Sequence, residues 1–174
     1  SYAGALAAYA KVDNSVAQGT VFNNCHADGV ISVDTGGSAV ALVGGLAGFT
    51  NAKMTMASCG ADVDVKVSTG TNNANAGGLV GFESTGGLLM NCYSLGDVTV
   101  DSSNVNSNAG GLIGGANGLH YNNYTSAKVT ASQAIKKAGA LTGVSNTGSI
   151  LSHCYYDQES TATAVGDNKG VTGT

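Results

Sequence analysis

Apolar and polar positions follow one another along this chain in a recurring order, with a period of about 33 residues. Each repeat has a small-small-Leu segment, a polar step, a cluster of Asn, Cys and Tyr, and a Val-rich run. The leucines of the first segment have equal spacing in the middle of the chain, and they are Leu6, Leu46, Leu79, Leu112 and Leu141. A second landmark recurs more regularly still, at Cys25, Cys59, Cys92, Asn123 and Cys154. Repeats of this length predict stacked units, because one unit cannot bury its own apolar face.

The apolar stretches inside each repeat have the length of β-strands. Residues 76–108 contain the stretches AGGLVGF, LLMNCYS and DVTV, which are four to seven residues long and are bounded by turn-forming residues. A helix would need about ten residues or more. In the Val-rich run, β-branched and polar residues alternate, as in Val98, Thr99 and Val100. This alternation predicts strands with one buried face and one solvent-exposed face.

We therefore predict an all-β fold, a parallel β-solenoid of about five coils that forms a single domain over residues 1–174. The coils are expected at about residues 1–42, 43–75, 76–108, 109–137 and 138–174. Side chains in equivalent positions should lie directly above one another. The structural ladder with the clearest pattern comprises Leu46, Leu79, Leu112, Leu141, Val65, Val98 and Val129.

Two further columns of residues leave alternatives open. An apolar column next to the leucines is expected to face outward, under another chain or a folded-back loop, and comprises Ala7, Ala47, Val80, Ile113 and Thr142. Asn24, Asn91 and Asn122 each precede the second landmark by one residue. These asparagines form either a ladder of side-chain amides or a series of turns.

Composition and charge exclude several classes of partner. With 43% hydrophobic and 10% charged residues, the chain is too apolar for disorder and too evenly mixed for membrane insertion. All seven basic residues are lysines and the formal net charge is -4. Nucleic acids and anionic membranes attract clustered Arg and Lys, so neither is expected as a partner.

The residues that usually carry chemistry do not converge in the predicted stack. His26, His120 and His153 fall in three different columns, so stacking does not gather them into a metal site. No carboxylates are paired at matched outward positions beyond Asp62 and Asp64. Phosphate-binding loops, nucleophile elbows and zinc-protease motifs are absent from the sequence. We therefore expect no enzyme activity, no catalytic residue, no cofactor and no metal.

The four cysteines permit three arrangements. Cys25, Cys59 and Cys92 are expected in successive coils about 4.8 Å apart, a spacing that one internal disulfide tolerates. Cys154 lies two coils from Cys92 because Asn123 occupies the intermediate position, so Cys154 should lack an intramolecular partner. The favoured alternative is four free, buried thiols. The third is an intermolecular disulfide, formed where the Cys154 coil of one molecule meets the Cys25 coil of the next.

The segment GGLVGF followed by NCYSLGDV, within residues 77–98, resembles the GLUG-motif repeats of prokaryotic surface proteins. Similar units start at Gly44 and Gly110, and residues 139–156 are similar to a terminal unit. The resemblance covers nearly the whole chain and is weakest over residues 1–42. It implies a β-solenoid scaffold outside the cell, in the envelope or on the cell surface, and it implies no reaction.

From these features we expect a non-enzymatic structural protein of the prokaryotic cell surface. Neither end of the sequence shows an amphipathic helix that would cap the solenoid, so unpaired strand edges are expected at both ends. A like edge is the natural partner of such an edge. The chain is therefore expected to self-associate end to end, and laterally where an apolar strip is exposed, into a fibre, sheath or surface layer.

The alternative is an adhesin stalk or passenger segment that binds a carbohydrate or a host protein. Tyr93, Tyr124 and Tyr155 form a column one residue after the second landmark, where their rings offer surfaces to sugars. The same column is also typical of an aromatic ladder that stabilises a sheet.

Overall fold

The structure is a computed structural model that describes residues 1–11, 19–51, 53–135, 137–159, 161 and 163–169. Every regular element within these residues is a β-strand. The strands wind into a parallel β-solenoid in which equivalent positions pair from one turn to the next, and this confirms the predicted fold class. No helix in the described part of the chain is long and apolar enough to cross a membrane.

Successive turns of the solenoid repeat the same order of short strands. The first turn contains β1 (Tyr2–Ala3), β2 (Ala7–Ala10), β3 (Val21–Asn23) and β4 (His26–Asp34). The second contains β5 (Ala41–Gly44), β6 (Ala47–Thr50), β7 (Thr55–Ala57) and β8 (Gly60–Gly70). The third contains β9 (Ala74–Gly77), β10 (Val80–Glu83), β11 (Leu88–Met90), β12 (Tyr93–Ser94) and β13 (Val98–Ser102).

The later turns continue this order. The fourth contains β14 (Asn108–Gly110), β15 (Ile113–Ala116), β16 (Leu119–Tyr121), β17 (Tyr124–Thr125) and β18 (Val129–Ala131). The fifth contains β19 (Lys137–Gly139), β20 (Thr142–Ser145), β21 (Ile150–Ser152) and β22 (Tyr155–Tyr156). A last strand, β23 (Val165–Asn168), follows them.

The strands form four parallel sheets that run along the solenoid axis. Sheet A joins β1, β5, β9, β14 and β19, and sheet B joins β2, β6, β10, β15, β20 and β23. Sheet C joins β3, β7, β11, β16 and β21. Sheet D joins β4, β8, β12, β13, β17, β18 and β22. Sheets A and C each contain five strands, one from each turn. Their first and last strands are therefore four turns apart along the solenoid.

Hydrogen bonds between turns keep equivalent residues in register. Val98 pairs with Val65 on one side and with Val129 on the other. At the corner between sheets A and B, the Leu79 N–H donates to the Leu112 carbonyl oxygen at 2.9 Å. Leu46, Leu79 and Leu112 lie in consecutive turns, are buried and belong to the hydrophobic core. Because the backbone bonds run from turn to turn, each turn depends on its neighbours for both hydrogen bonding and burial.

The residue before the second landmark turns the chain from sheet C into sheet D. Asn24, Asn91 and Asn122 have φ angles of 54°, 54° and 58°, in the left-handed region that Asn tolerates better than most residues. The Asn122 side-chain amide also donates to Asn91 Oδ1 at 3.2 Å. The asparagines are therefore turn residues, and one pair also forms an amide contact between turns.

Glycines bring the backbones of sheets A and B close together. A Cβ atom at Gly114 in sheet B would lie 2.7 Å from the nitrogen and 2.8 Å from the carbonyl oxygen of Ala76 in sheet A. The apolar column predicted to face outward does not do so, since Ala47, Val80 and Ile113 are at most 1% exposed and belong to the core. The prediction that another chain or a loop covers this column was wrong, because the strand packs into its own solenoid.

Candidate functional site

The N-terminal end of the solenoid exposes apolar side chains that later turns bury. Leu6 is 47% exposed, whereas Leu46 and Leu79 in the same column are 0% exposed. Phe22 and Ile31 are only half-buried, although they pack against the core. The first turn has no preceding turn over it among the described residues. Its apolar interior therefore forms part of the surface.

The backbone of the first turn has hydrogen-bonding capacity left at the same end. Strands β1, β2, β3 and β4 each pair with one neighbour, in the second turn. Their other edges have no strand partner within the described residues. The longest of these edges is β4, which spans His26–Asp34. Unpaired strand edges next to exposed apolar side chains are a typical site for association with another β-strand.

The C-terminal end of the solenoid contains an apolar hollow. Its volume is about 160 Å³, and it is lined by Leu141, Leu151, Cys154, Tyr156 and Ala164. Ala164 occupies the position of the leucine column, because its carbonyl oxygen accepts from Leu141 N at 2.8 Å. Leu141 accepts from Leu112 N in the same way, at 3.0 Å. A small residue thus stands where each earlier turn has a leucine.

A short segment after the fifth turn closes part of this end. Strand β23 pairs with β20, so sheet B extends one strand beyond sheets A and C. The Thr163 hydroxyl donates to the Ala138 carbonyl oxygen at 3.3 Å, and Val129 N donates to the Thr161 hydroxyl at 3.0 Å. The sequence reasoning missed this segment. Its signal is the motif Ala-Val-Gly at residues 164–166, which retains the small residues of the repeat but lacks the leucine.

The cysteine column lies at the start of sheet D, and its four members are free thiols in the structure. Cys25 N donates to Cys59 Sγ at 3.4 Å, so these two residues are neighbours in successive turns. Asn123 replaces the next cysteine: its Oδ1 accepts from Cys92 N at 2.9 Å, and its Nδ2 lies 3.7 Å from Cys154 Sγ. The landmark residues thus bond to the backbone and side chains of adjacent turns.

Burial changes the chemistry of these thiols. Burial away from water raises the pKa of Cys59 and of Cys154, and it raises the pKa of Cys92 to about 12. The thiolate is the nucleophilic form, so these cysteines are poorly reactive at neutral pH. Since the folded state holds the Cys92 proton more tightly than the unfolded chain, stability should decrease as the pH rises from 9.0 towards about 12.

We expect the cysteines of the native protein to react with a thiol reagent at different rates, according to their burial. With iodoacetamide at pH 8, half-buried Cys25 should react first, and Cys92, which is 2% exposed, should react at least about tenfold more slowly. Mass spectrometry of peptides after timed quenching measures the order. Labelling in denaturant is the control, because it should make the four rates similar. Equal rates in the native protein would contradict the buried position of Cys92.

An acid and a histidine meet inside the solenoid. Glu83 at the end of β10 and His120 in β16 are each 1% exposed, and Glu83 Oε2 lies 2.8 Å from His120 Nε2. Glu83 Oε1 and His120 Nδ1 have no hydrogen-bond partner within the described residues. His120 stands in a column whose other members are apolar: Phe22, Met56, Leu89 and Leu151.

A shortened corner makes room for this pair. Four residues separate β10 from β11, whereas only Asn117 and Gly118 separate β15 from β16. Asn117 N donates to Glu83 Oε2 at 3.3 Å, and a Cβ at Gly118 would lie 2.6 Å from Glu83 Oε1. Sequence reasoning missed the pair because it compared the histidines only with one another. The interruption of an apolar column by His120 was the available signal.

The tyrosine column lies on the outer face of sheet D. Tyr93, Tyr124 and Tyr155 are in register, and the last two are 42% and 60% exposed. Tyr93 lies over Gly60, and its ring centroid is 5.8 Å from that of His26. The described residues show no ring contact between neighbouring tyrosines of this column. The stacked aromatic ladder occurs instead on sheet B, where Tyr9, Phe49 and Phe82 have interplanar angles of 11° and 6°.

The remaining polar residues were compared with the ligand sets of metal sites. The described part of the chain contains no group of three or more His, Cys, Asp or Glu residues that could hold a metal ion. Asp64 on the outer face of sheet D accepts from Asp97 N at 3.0 Å, and its carboxylate lies 3.9 Å from Lys66 Nζ. The Asp64 carboxylate therefore makes contacts both between turns and within its own turn. No family model matches the chain, and searches of curated proteins and of solved structures find no match.

Proposed function

We propose that this chain is a non-enzymatic structural protein that self-associates through the ends of its β-solenoid. The observation that carries the proposal is the exposed interior of the first turn, where Leu6 is 47% exposed and four strand edges are unpaired among the described residues. Burial of apolar area and new backbone hydrogen bonds would both favour a strand-bearing partner at this end. A second copy of the chain supplies such a partner.

The direction of the strands specifies how two copies meet. Every strand pair in the solenoid is parallel, and the four sheets follow one another in a fixed order around the axis. Only a head-to-tail arrangement continues all four sheets with parallel pairing. A head-to-tail contact does not close on itself unless the rotation happens to form a ring, so it generates a filament.

We place the assembly outside the cell, as a fibre, sheath or surface layer of a prokaryote. The GLUG-like motifs and the scarcity of charged residues support this location. The net charge of -4 and the absence of arginine give no support to nucleic acid or anionic membrane as partners. A structural role suits the described residues, because Glu83 and His120 are each 1% exposed and a substrate could not reach them.

The proposal predicts ordered polymers whose growth depends on Leu6. Substitution Leu6→Asp places a charge on the apolar end, and it should reduce the polymerised fraction at least about tenfold at equal concentration. Because Leu6 is already half exposed in one molecule, the variant should remain folded. Sedimentation velocity and negative-stain microscopy measure the polymers, and circular dichroism checks the fold.

The matched control is Val105→Asp. Val105 is an equally apolar residue with 60% exposure, and it lies in the loop between β13 and β14, on the side of the solenoid. This variant should polymerise like the wild-type chain. Dispersed short rods from the wild-type chain at every concentration would contradict the proposal. Equal polymerisation of the two variants would show that the end of the solenoid at Leu6 is not the contact surface.

A second candidate function is carbohydrate binding by an adhesin stalk. The exposed rings of Tyr124 and Tyr155 on sheet D favour it, because aromatic rings pack against the apolar faces of sugars. Glycan-array binding that is lost on Tyr124→Ala would support this alternative. Binding that is unchanged in the variant, or absent from the wild-type chain, would remove it.

A further inference from the structure

We propose that Cys25 and Cys59 form a two-coordinate site for a soft monovalent metal cation of the class of Cu(I). The bound cation would clamp the first turn of the solenoid to the second. This inference goes beyond the self-association proposed above and does not depend on it. It assigns a role to two neighbouring free thiols near the exposed N-terminal end.

The two cysteines occupy the same position in successive turns. The strand pairs on either side of them, β3 with β7 and β4 with β8, are parallel and in register. Cys25 N donates to Cys59 Sγ at 3.4 Å, so the second sulfur lies directly against the backbone of the first turn. Cys59 is 0% exposed in the core, and half-buried Cys25 packs against the same core. Both thiols therefore face the interior of the solenoid.

The spacing of the two sulfur atoms suits a cation between them. Cys25 Sγ lies 3.5 Å from the carbonyl oxygen two residues before it, and Cys59 Sγ lies 3.2 Å from the equivalent oxygen. Because the side chains share this orientation, their sulfurs are separated by the spacing of parallel strands, about 4.8 Å. A metal–thiolate bond is about 2.3 Å long, so two such bonds in line span about 4.6 Å. A cation on this line would fit with little movement of the chain.

The number and softness of the ligands select the ion. Structural zinc takes four nitrogen or sulfur ligands, and calcium takes at least six oxygens. In the part of the chain that the structure describes, no three His, Cys, Asp or Glu residues are grouped so that they could hold a metal. Thiolates favour Cu(I), which accepts two of them in a linear arrangement. Two thiols in line therefore suit a soft monovalent cation better than zinc or calcium.

A disulfide between the same residues fits the side chains less well. The spacing of the strands tolerates such a bridge, but its sulfurs would have to lie about 2.05 Å apart. Both side chains would then have to rotate away from the carbonyl oxygens that they now contact. The orientation of Cys25 and Cys59 thus favours a bridging cation over a direct sulfur–sulfur bond.

The exchange of protons for the cation is balanced without a redox step. Two S–H bonds break, two sulfur–metal bonds form, two protons pass to water, and no electron is transferred. The bound unit carries one negative charge, which the Cys25 N–H that donates to Cys59 Sγ partly compensates. Cys25 lies in the turn that has no preceding turn among the described residues, so the cation can enter from this end.

Competition with a coloured chelator tests the site. The reduced wild-type chain is kept under nitrogen, and Cu(I) is supplied as its complex with bicinchoninate, whose absorbance falls as the protein removes the ion. The chain should bind one Cu(I), and an equal concentration of Zn²⁺ should not displace it. X-ray absorption of the loaded protein should show two sulfur ligands and no nitrogen ligand.

Serine variants locate the two ligands. Cys25→Ser and Cys59→Ser should each weaken Cu(I) binding at least about tenfold, because each removes one thiolate. Cys154→Ser is the matched control, since Cys154 is also a half-buried thiol but its neighbour in the column is Asn123. This control should bind Cu(I) like the wild-type chain. Far-ultraviolet circular dichroism checks the fold, and Cys25→Ser keeps the test valid if serine at the fully buried Cys59 position prevents folding.

The clamp itself provides a second measurement. A ligand that binds only the folded state stabilises it, so Cu(I) should raise the urea midpoint of the wild-type chain and of Cys154→Ser, but not that of Cys25→Ser. Complete loss of Cu(I) from the wild-type chain to the chelator would overturn the inference. Wild-type affinity in Cys25→Ser, or equal weakening by Cys154→Ser, would also overturn it. None of these results depends on whether the chain forms polymers, so the proposed function is tested separately.

Discussion

Replacement of His120 by leucine should lower the free energy of unfolding by about 3–5 kcal/mol, although leucine matches the apolar column in which His120 lies. The reason is the carboxyl group of Glu83, which is 1% exposed and lies 2.8 Å from His120 Nε2. Leucine would leave this group with Asn117 N, at 3.3 Å, as its remaining hydrogen-bond donor. Removal of one member of a buried pair is costly because the other stays desolvated.

A double-mutant cycle separates the loss of the contact between Glu83 and His120 from the effect of changing side-chain volume. Glu83→Gln keeps the shape of the side chain but removes its acidity, so the double variant Glu83→Gln/His120→Leu should lose only about 1–3 kcal/mol. Urea unfolding followed by far-ultraviolet circular dichroism measures all three variants. His26→Leu is the control, because His26 is exposed, and it should change the stability by less than about 0.5 kcal/mol. Similar values for His120→Leu and His26→Leu would show that Glu83 and His120 are not a buried pair.

The repeat period made the fold predictable from the sequence. Leu79 and Leu112 are one repeat apart, and the Leu79 N–H donates to the Leu112 carbonyl oxygen. A repeated apolar position that one unit cannot bury admits few solutions other than stacking, and alternation in the Val-rich run specifies strands. Fold class and turn-to-turn register follow from the pattern, because each column repeats the same environment.

Features that depart from the repeat were harder to predict. Glu83 and His120 are 37 residues apart and occupy different sheets, so no column contains both. They meet beside a corner that is two residues shorter than its neighbours, and only the structure shows that both side chains are buried there. Strand β23 was missed because Ala164 replaces the leucine by which the earlier units were recognised.

Sequence reasoning also gave the wrong face for Val80, which follows the corner between sheets A and B. Strict alternation from Leu79 would place Val80 on the outside, yet Val80 is 0% exposed. Leu79 lies at the corner before β10 and not within a strand, so the alternation does not continue through it. Close approach of sheets A and B then allows both residues to enter the core. Glycine at the following position, Gly81, permits this approach.

Substitution of a glycine between sheets A and B should therefore be among the most damaging changes in the chain. A Cβ at Gly114 would lie 2.4 Å from the carbonyl oxygen of Gly81, on the neighbouring strand of sheet B, and 2.7 Å from the nitrogen of Ala76 in sheet A. Backbone held by hydrogen bonds on both sides cannot move without disturbing the neighbouring turns. We expect Gly114→Ala to cost about 3 kcal/mol or more, or to prevent folding, as measured by urea unfolding.

The control for this change is an alanine at a glycine that has conformational strain but free space. Gly36 has a φ of 56° and no atom within 4 Å of a built Cβ. Gly36→Ala should cost only about 1–2 kcal/mol, which is the energy of the left-handed conformation for an alanine. Comparable losses in the two variants would mean that glycine serves the backbone conformation at both sites. A much larger loss for Gly114→Ala shows instead that close backbone approach sets the requirement, because the methyl group would meet both the neighbouring strand of sheet B and the backbone of sheet A.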